Sequence, residues 1–273
     1  MIRYFDGGTE VIPQIFEFSA GELHVRIPKP SVWLQTIRLD GAKSKDLCTL
    51  PLLVDAIRQS NRSAHIDLIL PYMPYGRQDR ACHPGDAFSL KVFATQLNAL
   101  QIGRITTLDP HSIVTPALIE NIDVIELQDI LIEDIFESYD IIISPDAGAS
   151  KKIEKVSAKF GRPMVQAHKH RDTATGHISR VSVNTNEVAG KRALIIDDIC
   201  DGGATFLQLG GVLREAGVAG LGLFVTHGIF SKGTEELSKI FDEILTTDSF
   251  PPPAGVGFLE VDEILTRRRE NEN

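Results

Sequence analysis

The sequence predicts an α/β protein of two tandem domains, each a mainly parallel sheet flanked by helices. Three observations predict it. Short apolar runs at 66–70, 140–143 and 193–196 are too short for helices and read as buried strands. Nearly every polar cluster lies just past such a run and ahead of a segment with helical period. Finally, LILPYMPYGR and IIISPDAGAS both read as strand, proline-bearing loop and polar residues, an echo that suggests one α/β unit present twice.

The bulk numbers fit that class. A chain of 273 residues with 42% apolar and 24% charged residues suffices for one large or two small globular domains. Apolar runs are too short for a membrane span, and the N-terminal stretch lacks the basic and apolar regions of a secretory signal. Cys48, Cys82 and Cys200 have neither paired nor metal-type spacing, as expected of a reducing cytoplasm. A net charge of −9 argues against nucleic-acid binding, so any phosphate chemistry needs local basic clusters.

In chain order, Phe16-Glu17-Phe18 and 23–27 alternate as half-buried strands around the turn FSAGE. A helix is expected over 50–60 and a strand over 66–70, running into PYMPYGRQDR. Arg77 and Arg80 suit phosphate oxygens and Gln78 a polar group, where a solvated loop would have little use for two tyrosines and two prolines. Residues 82–85 read as a mobile loop, and Asp86 as the cap of a helix to about Leu100. The strand 104–108 ends in Asp109-Pro110-His111-Ser112. There His111 is a metal or phosphate ligand, or a plain loop histidine.

The segment 124–137 leads into the second half. We divide the chain into 1–127, 128–262 and a polar, frayed tail to 273. Strand 140–143 leads to Asp146 and a helix to about Phe160. The basic cluster AHKHRD precedes a β-ribbon over 176–183. Lys169 and Arg171 are two apart, so on an extended strand they face one way, as two cations serving a polyphosphate or as ordinary hairpin charge.

The centre of the chain is RALIIDDICDGGATFLQLGGVLREA, 192–216. Its order is strand, acidic pair Asp197-Asp198, Gly-containing loop, helix. Unpaired N–H groups at a helix start suit a phosphate, glycines admit its close approach, and Thr205 adds a hydroxyl. The carboxylates repel phosphate and are placed for sugar hydroxyls or a bridging Mg²⁺. An ordinary strand–turn–helix with acidic turn residues is the alternative.

This stretch resembles the phosphoribosyl-pyrophosphate (PRPP) loop of type I phosphoribosyltransferases. FSAGE, PYMPYGRQDR, LDPHS, SPDAG, HKHR, IIDDICDGGAT and THGIF occur in the order seen in ribose-phosphate pyrophosphokinases, over roughly 16–250. The resemblance implies two phosphoribosyltransferase-like domains. It also implies Mg²⁺-dependent transfer of the β,γ-diphosphate of ATP to the anomeric hydroxyl of ribose 5-phosphate. By position, Phe18 and Glu22 would meet adenine from a neighbouring subunit, Arg77, Gln78 and His111 would hold ATP, and His111 and Asp146 would bind Mg²⁺. Lys169 and Arg171 would be catalytic. Asp197 and Asp198 would hold the ribose hydroxyls, with Asp201, Gly202, Gly203, Ala204 and Thr205 around the 5-phosphate. The partners implied are ATP, ribose 5-phosphate and further copies of the chain in a dimer-based assembly of up to a hexamer, with no nucleic acid and no membrane.

The chain departs from the family pattern at Ala20, Cys82 and Gly85, and in the loop itself. There Gly202 stands where threonine is usual and Ala204 where a second glycine is usual. A smaller residue at 202 would admit a 5-substituted ribose phosphate, so ADP-ribose is the alternative acceptor. A catalytically silent regulatory subunit is disfavoured because the cations and the acidic pair are present. A nucleobase phosphoribosyltransferase has no use for PYMPYGRQDR.

Overall fold

The structure is a computed structural model that describes residues 1–41, 43–171 and 178–272, with the backbone alone at 169–171, 178–181 and 272. The chain forms two compact units, Met1–Ile125 and Glu126–Asn273.

The first unit contains β1 (Ile2–Asp6), β2 (Thr9–Val11), β3 (Gln14–Glu17), β4 (Leu23–Arg26), β5 (Leu34–Leu39), α1 (Ser44–Ser60), β6 (His65–Ile69), α2 (Ser89–Ala99), β7 (Arg104–Leu108), α3 (Thr115–Leu118) and β8 (Ile122–Ile125). Its six-stranded sheet has the order β2-β1-β5-β6-β7-β8. The strands β5 to β8 run parallel, and β1 and β2 add an antiparallel edge. Leu50, Leu53, Val54 and Ile57 of α1 and Leu90, Phe93, Ala94 and Leu97 of α2 are buried at helical spacing, which sets each helix's inward face.

Three expectations for this unit are corrected. The strand at Phe16 is not half-buried: among the described residues β3 pairs with β4 alone, and all four of its residues are exposed. Val25 of β4 is the residue that enters the core. The first helix begins at Ser44 rather than at Leu50 and runs through Pro51. Asp86 does not cap α2. Its carboxylate accepts the N–H groups of Cys82 (3.1 Å) and His83 (2.8 Å), closing the preceding loop on itself.

The second unit contains α4 (Leu127–Ile130), α5 (Glu133–Phe136), β9 (Ile141–Ser144), α6 (Ser150–Phe160), β10 (Met164–Gln166), β11 (His168–Arg171), β12 (Ile178–Ser182), α7 (Thr185–Val188), β13 (Arg192–Cys200), α8 (Ala204–Glu215), β14 (Gly220–Gly228), β15 (Glu243–Thr247), β16 (Gly257–Leu259) and α9 (Val261–Glu272). Its sheet has the order β10-β9-β13-β14-β15-β16 and is parallel throughout. Every residue of β14 is buried, as a central strand covered on both faces requires.

Two further corrections belong here. The segment from Thr266, read as a frayed tail, continues α9, which buries Val261, Ile264 and Leu265. The acidic pair lies within β13 rather than beyond it, because the parallel ladder to β14 continues through Asp197, Ile199 and Cys200. Of the predicted ribbon, β12 pairs antiparallel with β11, while Gly176 and His177 lie outside the described residues.

Candidate active site

In the second unit, the polar groups gather where parallel strands end, the usual ligand position of open α/β sheets. Asp197 and Asp198 are half-buried at the end of β13, and the Asp197 carboxylate accepts the Asp198 N–H at 3.0 Å. The ladder sets Ile143 of β9 beside Ile195, so the turn carrying Asp146 rises next to the acidic pair. Asp146 Oδ1 accepts the N–H groups of Gly148 (3.0 Å) and Ala149 (3.1 Å) at the start of α6. One turn into that helix, Lys152 places Nζ 4.0 Å from Asp198 Oδ2. The sequence reading passed over Lys152. Its signal is the lysine pair Lys151-Lys152 at the start of the helix that follows SPDAG.

The loop after β13 is short. Gly203 adopts φ +76, a conformation that suits glycine, and opens α8. Among the described residues no side chain caps α8, so its first N–H groups face the loop uncapped by protein side chains. Ala204 is its first residue, followed by half-buried Thr205. Asp201 is braced from the end of β14, where Ser231 donates its Oγ hydrogen to Asp201 Oδ1 (2.7 Å) and its N–H to Asp201 O (3.0 Å). Next to the acidic pair, β14 contributes buried His227, whose Nδ1 lies 2.9 Å from Ser249 Oγ. Burial, with Asp201 and Asp197 adding to it, pushes the Cys200 thiol up to about 12, so it stays protonated and is no nucleophile.

Lys169 and Arg171 lie on β11, which follows β10 at the sheet edge. Their backbone is extended and paired, with a register shift between His170 and Arg171, and their side chains lie outside the described residues.

In the first unit, 71–80 leaves the end of β6 as a series of turns. Met73 is buried, Tyr75 takes φ +60 with its ring against Phe93, and Gln78 N–H donates to Tyr75 O at 2.8 Å. Arg77 and Gln78 are exposed at its tip. A Cβ at Gly76 would stand 3.2 Å from Met73 O and 3.8 Å from the His111 Cβ, so this glycine lets the loop lie against His111. The sequence reading also missed the tie between the two loops. Ser112 donates to Asp79 Oδ2 at 2.8 Å, and Arg80 Nε lies 3.1 Å from Asp79 Oδ1. The Ser112 hydrogen bond, helped by Arg80 and His111, holds the Asp79 carboxyl below the usual range. Phe18 and Glu22 flank the β3–β4 turn, where Phe18 N–H donates to Glu22 O at 2.8 Å and the Phe18 ring tilts against His24.

Within the described residues no cluster of three or more His, Cys, Asp or Glu side chains is arranged to hold a metal ion. A closed protein cage is therefore absent there. The hard oxygen donors at Asp146, Asp197 and Asp198 fit a cation held by one or two carboxylates together with substrate oxygens, the usual manner of Mg²⁺.

Two sheet units with polar groups at their strand ends, one bearing an acidic pair ahead of a glycine-opened helix, define a phosphoribosyltransferase-type α/β protein. Comparisons with known proteins refine the class. The family model described as the N-terminal domain of ribose phosphate pyrophosphokinase matches residues 13–100, and that for the phosphoribosyl transferase domain matches 114–256. A ribose-phosphate pyrophosphokinase from Corynebacterium efficiens is 31% identical, over 89% of this chain and 78% of its own. One from Pyrococcus furiosus is 31% identical, over 88% and 86%. The crystal structure of phosphoribosylpyrophosphate synthetase from Mycobacterium smegmatis superposes with a TM-score of 0.78 at 25% identity, covering 96% of this chain and 91% of that one. The chain belongs to the ribose-phosphate pyrophosphokinase family and is an enzyme of that class.

Proposed function

We propose that the protein transfers the β,γ-diphosphate of ATP to the anomeric hydroxyl of ribose 5-phosphate, releasing PRPP and AMP. The observation that carries this reading is the acidic pair fixed at the end of β13, directly ahead of the loop Asp201-Gly202-Gly203 and the start of α8. Asp197 and Asp198 accept hydrogen bonds from the ribose hydroxyls and orient the anomeric oxygen. The loop and the first N–H groups of α8 take the 5-phosphate. Arg77, Gln78 and His111 hold ATP, with Phe18 and Glu22 of a neighbouring copy on its base. The anomeric oxygen attacks the β-phosphorus in line, the bond to the α,β-bridging oxygen breaks, and AMP leaves with that electron pair. Lys169 and Arg171 offset charge on the transferring group, which is what phosphoryl-type transfer chiefly demands of a protein. Asp146 and His111 would hold Mg²⁺, which would supply further charge neutralisation.

A second acceptor, ADP-ribose, is favoured by Gly202. A Cβ placed there would already touch the Lys232 stem at 3.5 Å, so the glycine leaves beside that stem a space that a larger residue would fill. The product would be ADP-ribose 1-pyrophosphate.

A homo-oligomer, dimer-based and up to a hexamer, is part of the proposal. Its support is the exposure of the large apolar residues Ile12 and Phe18 (86% and 57%) at the two ends of β3. Light scattering on the eluted protein reads the assembly, and a monomer would refute it. We also propose a cytoplasmic location, in keeping with three unpaired cysteines. Among the described residues, no helix is long and apolar enough to cross a membrane.

The deciding experiment measures AMP release from ATP and Mg²⁺ with ribose 5-phosphate or ADP-ribose, with phosphorus NMR of the product. AMP and a new anomeric diphosphate with ribose 5-phosphate confirm the first reading. Activity confined to ADP-ribose replaces it with the second, and silence with both refutes both and leaves a regulatory subunit.

A further inference from the structure

The loop that faces the acceptor's phosphate lacks a side chain at Gly202, and the structure shows what lies over that position. A Cβ at Gly202 would stand 3.5 Å from both Cδ and Cε of Lys232, and 3.8 Å from its Cγ. The lysine stem therefore covers the glycine, and its ammonium group is one bond beyond Cε, at the rim of the same loop.

The backbone of Lys232 is anchored. Ile229 and Phe230 donate their N–H groups to Cys200 O at 2.9 and 3.1 Å, and Ser231 ties both its N–H and its hydroxyl to Asp201. Immediately after Lys232, Gly233 N–H donates to Phe230 O at 2.8 Å with φ +73, closing a tight turn. That φ lies in the left-handed region where side-chain-bearing residues are strained, so this turn favours glycine. Lys232 itself is exposed and makes no ion pair among the described residues. An ordinary surface lysine has a mobile base, and its stem does not lie across a glycine of a ligand loop. Lysine binds phosphate as a point charge on a flexible stem, without the fixed geometry of arginine.

We propose that Lys232 is an acceptor-binding residue that contacts the phosphoryl group on the acceptor's 5-oxygen, supplying by charge what a hydroxyl side chain at position 202 would supply by hydrogen bonding. The inference rests on the reading of 201–205 as the acceptor-phosphate loop. The shared chemistry is a phosphoryl group on the sugar's 5-oxygen, whether terminal, as in ribose 5-phosphate, or the first of a diphosphate, as in ADP-ribose. The stem's freedom accommodates either.

The test is titration calorimetry on the full chain, with ribose 5-phosphate in one arm and ADP-ribose in the other. It compares the native protein with Lys232→Ala, Lys232→Gln and Lys232→Arg. A hydrogen bond to a charged group is worth about 1.5–3 kcal/mol, so Lys232→Ala and Lys232→Gln should weaken the bound acceptor at least ~10-fold. Lys232→Arg should restore most of that affinity, and the salt dependence of binding should flatten in the two neutral variants. Whichever arm shows the loss identifies the acceptor. Affinities within twofold of native in both neutral variants would overturn the role of Lys232 while leaving the acceptor loop standing, provided Asp197→Asn still weakens binding. Native protein that binds an acceptor through Lys232 but releases no AMP would refute the catalytic reading and uphold this one. Native protein that binds neither compound would overturn both.

Discussion

The two units place polar groups at the ends of parallel strands but hold them differently. In the second unit the backbone does the holding. β13 keeps its ladder to β14 past the acidic pair, so Asp197 and Asp198 are carried on a strand still paired on that side. In the first unit the ladder of β6 stops at Ile69, and the chain from Leu70 to α2 crosses the strand ends as turns. That loop is held by side chains and buried turns, above all Asp79 to Ser112. Side-chain changes in the second unit should therefore alter chemistry without altering geometry, whereas in the first unit they should loosen geometry.

The largest test of this contrast lies on β11. Removing a preorganised charge that acts in the transition state typically costs 10²–10³ in turnover. Lys169→Ala and Arg171→Ala should lower kcat by about that factor while ATP affinity, read by equilibrium binding, stays within a few-fold. Equal losses in both would sink their catalytic role. Next, Asp197→Asn should raise KM for the sugar acceptor ~10-fold with the melting temperature unchanged, because the strand is held by its backbone. A drop of several degrees would break the contrast.

Ser112→Ala should act through geometry, raising KM for ATP a few-fold with kcat nearly native. It also has a pH signature. The folded-state pKa of Asp79 is depressed, so its tie is intact above the ordinary carboxylate range and is lost as pH falls through the lowered value. In Ser112→Ala the Asp79 titration, followed by carboxyl NMR, should move back up toward the ordinary range. The smallest effect is expected at Cys200, whose thiol is buried and protonated. Cys200→Ala should keep turnover within about twofold, and a large loss would return the thiol to the mechanism.

Much of this was legible in the residues alone. Apolar runs bounded by glycine and proline mark the parallel strands because a strand covered on both faces has no polar side to show. The order of strand, Asp197-Asp198, glycine-bearing loop and helix was likewise readable, and Gly203 indeed opens α8 at φ +76, a conformation few residue types tolerate. The hairpin was misjudged because alternation in β3 implies a covered face, and in the described chain its residues remain exposed. The end of β13 was misjudged because charged residues look like loop when read locally. Lys152, Ser112 and Lys232 were passed over because each is an unremarkable residue in its own segment.

The sequence by itself determined the fold class, the two-unit organisation and the family. The first two follow from local pattern and short-range spacing, and the family from the resemblance of the motifs taken in order. Tertiary structure alone decided that the acidic pair belongs to the strand, that Ser112 holds Asp79 and that Lys232 lies over Gly202. Each of these joins residues far apart in the chain, and only strand register and packing bring such residues together.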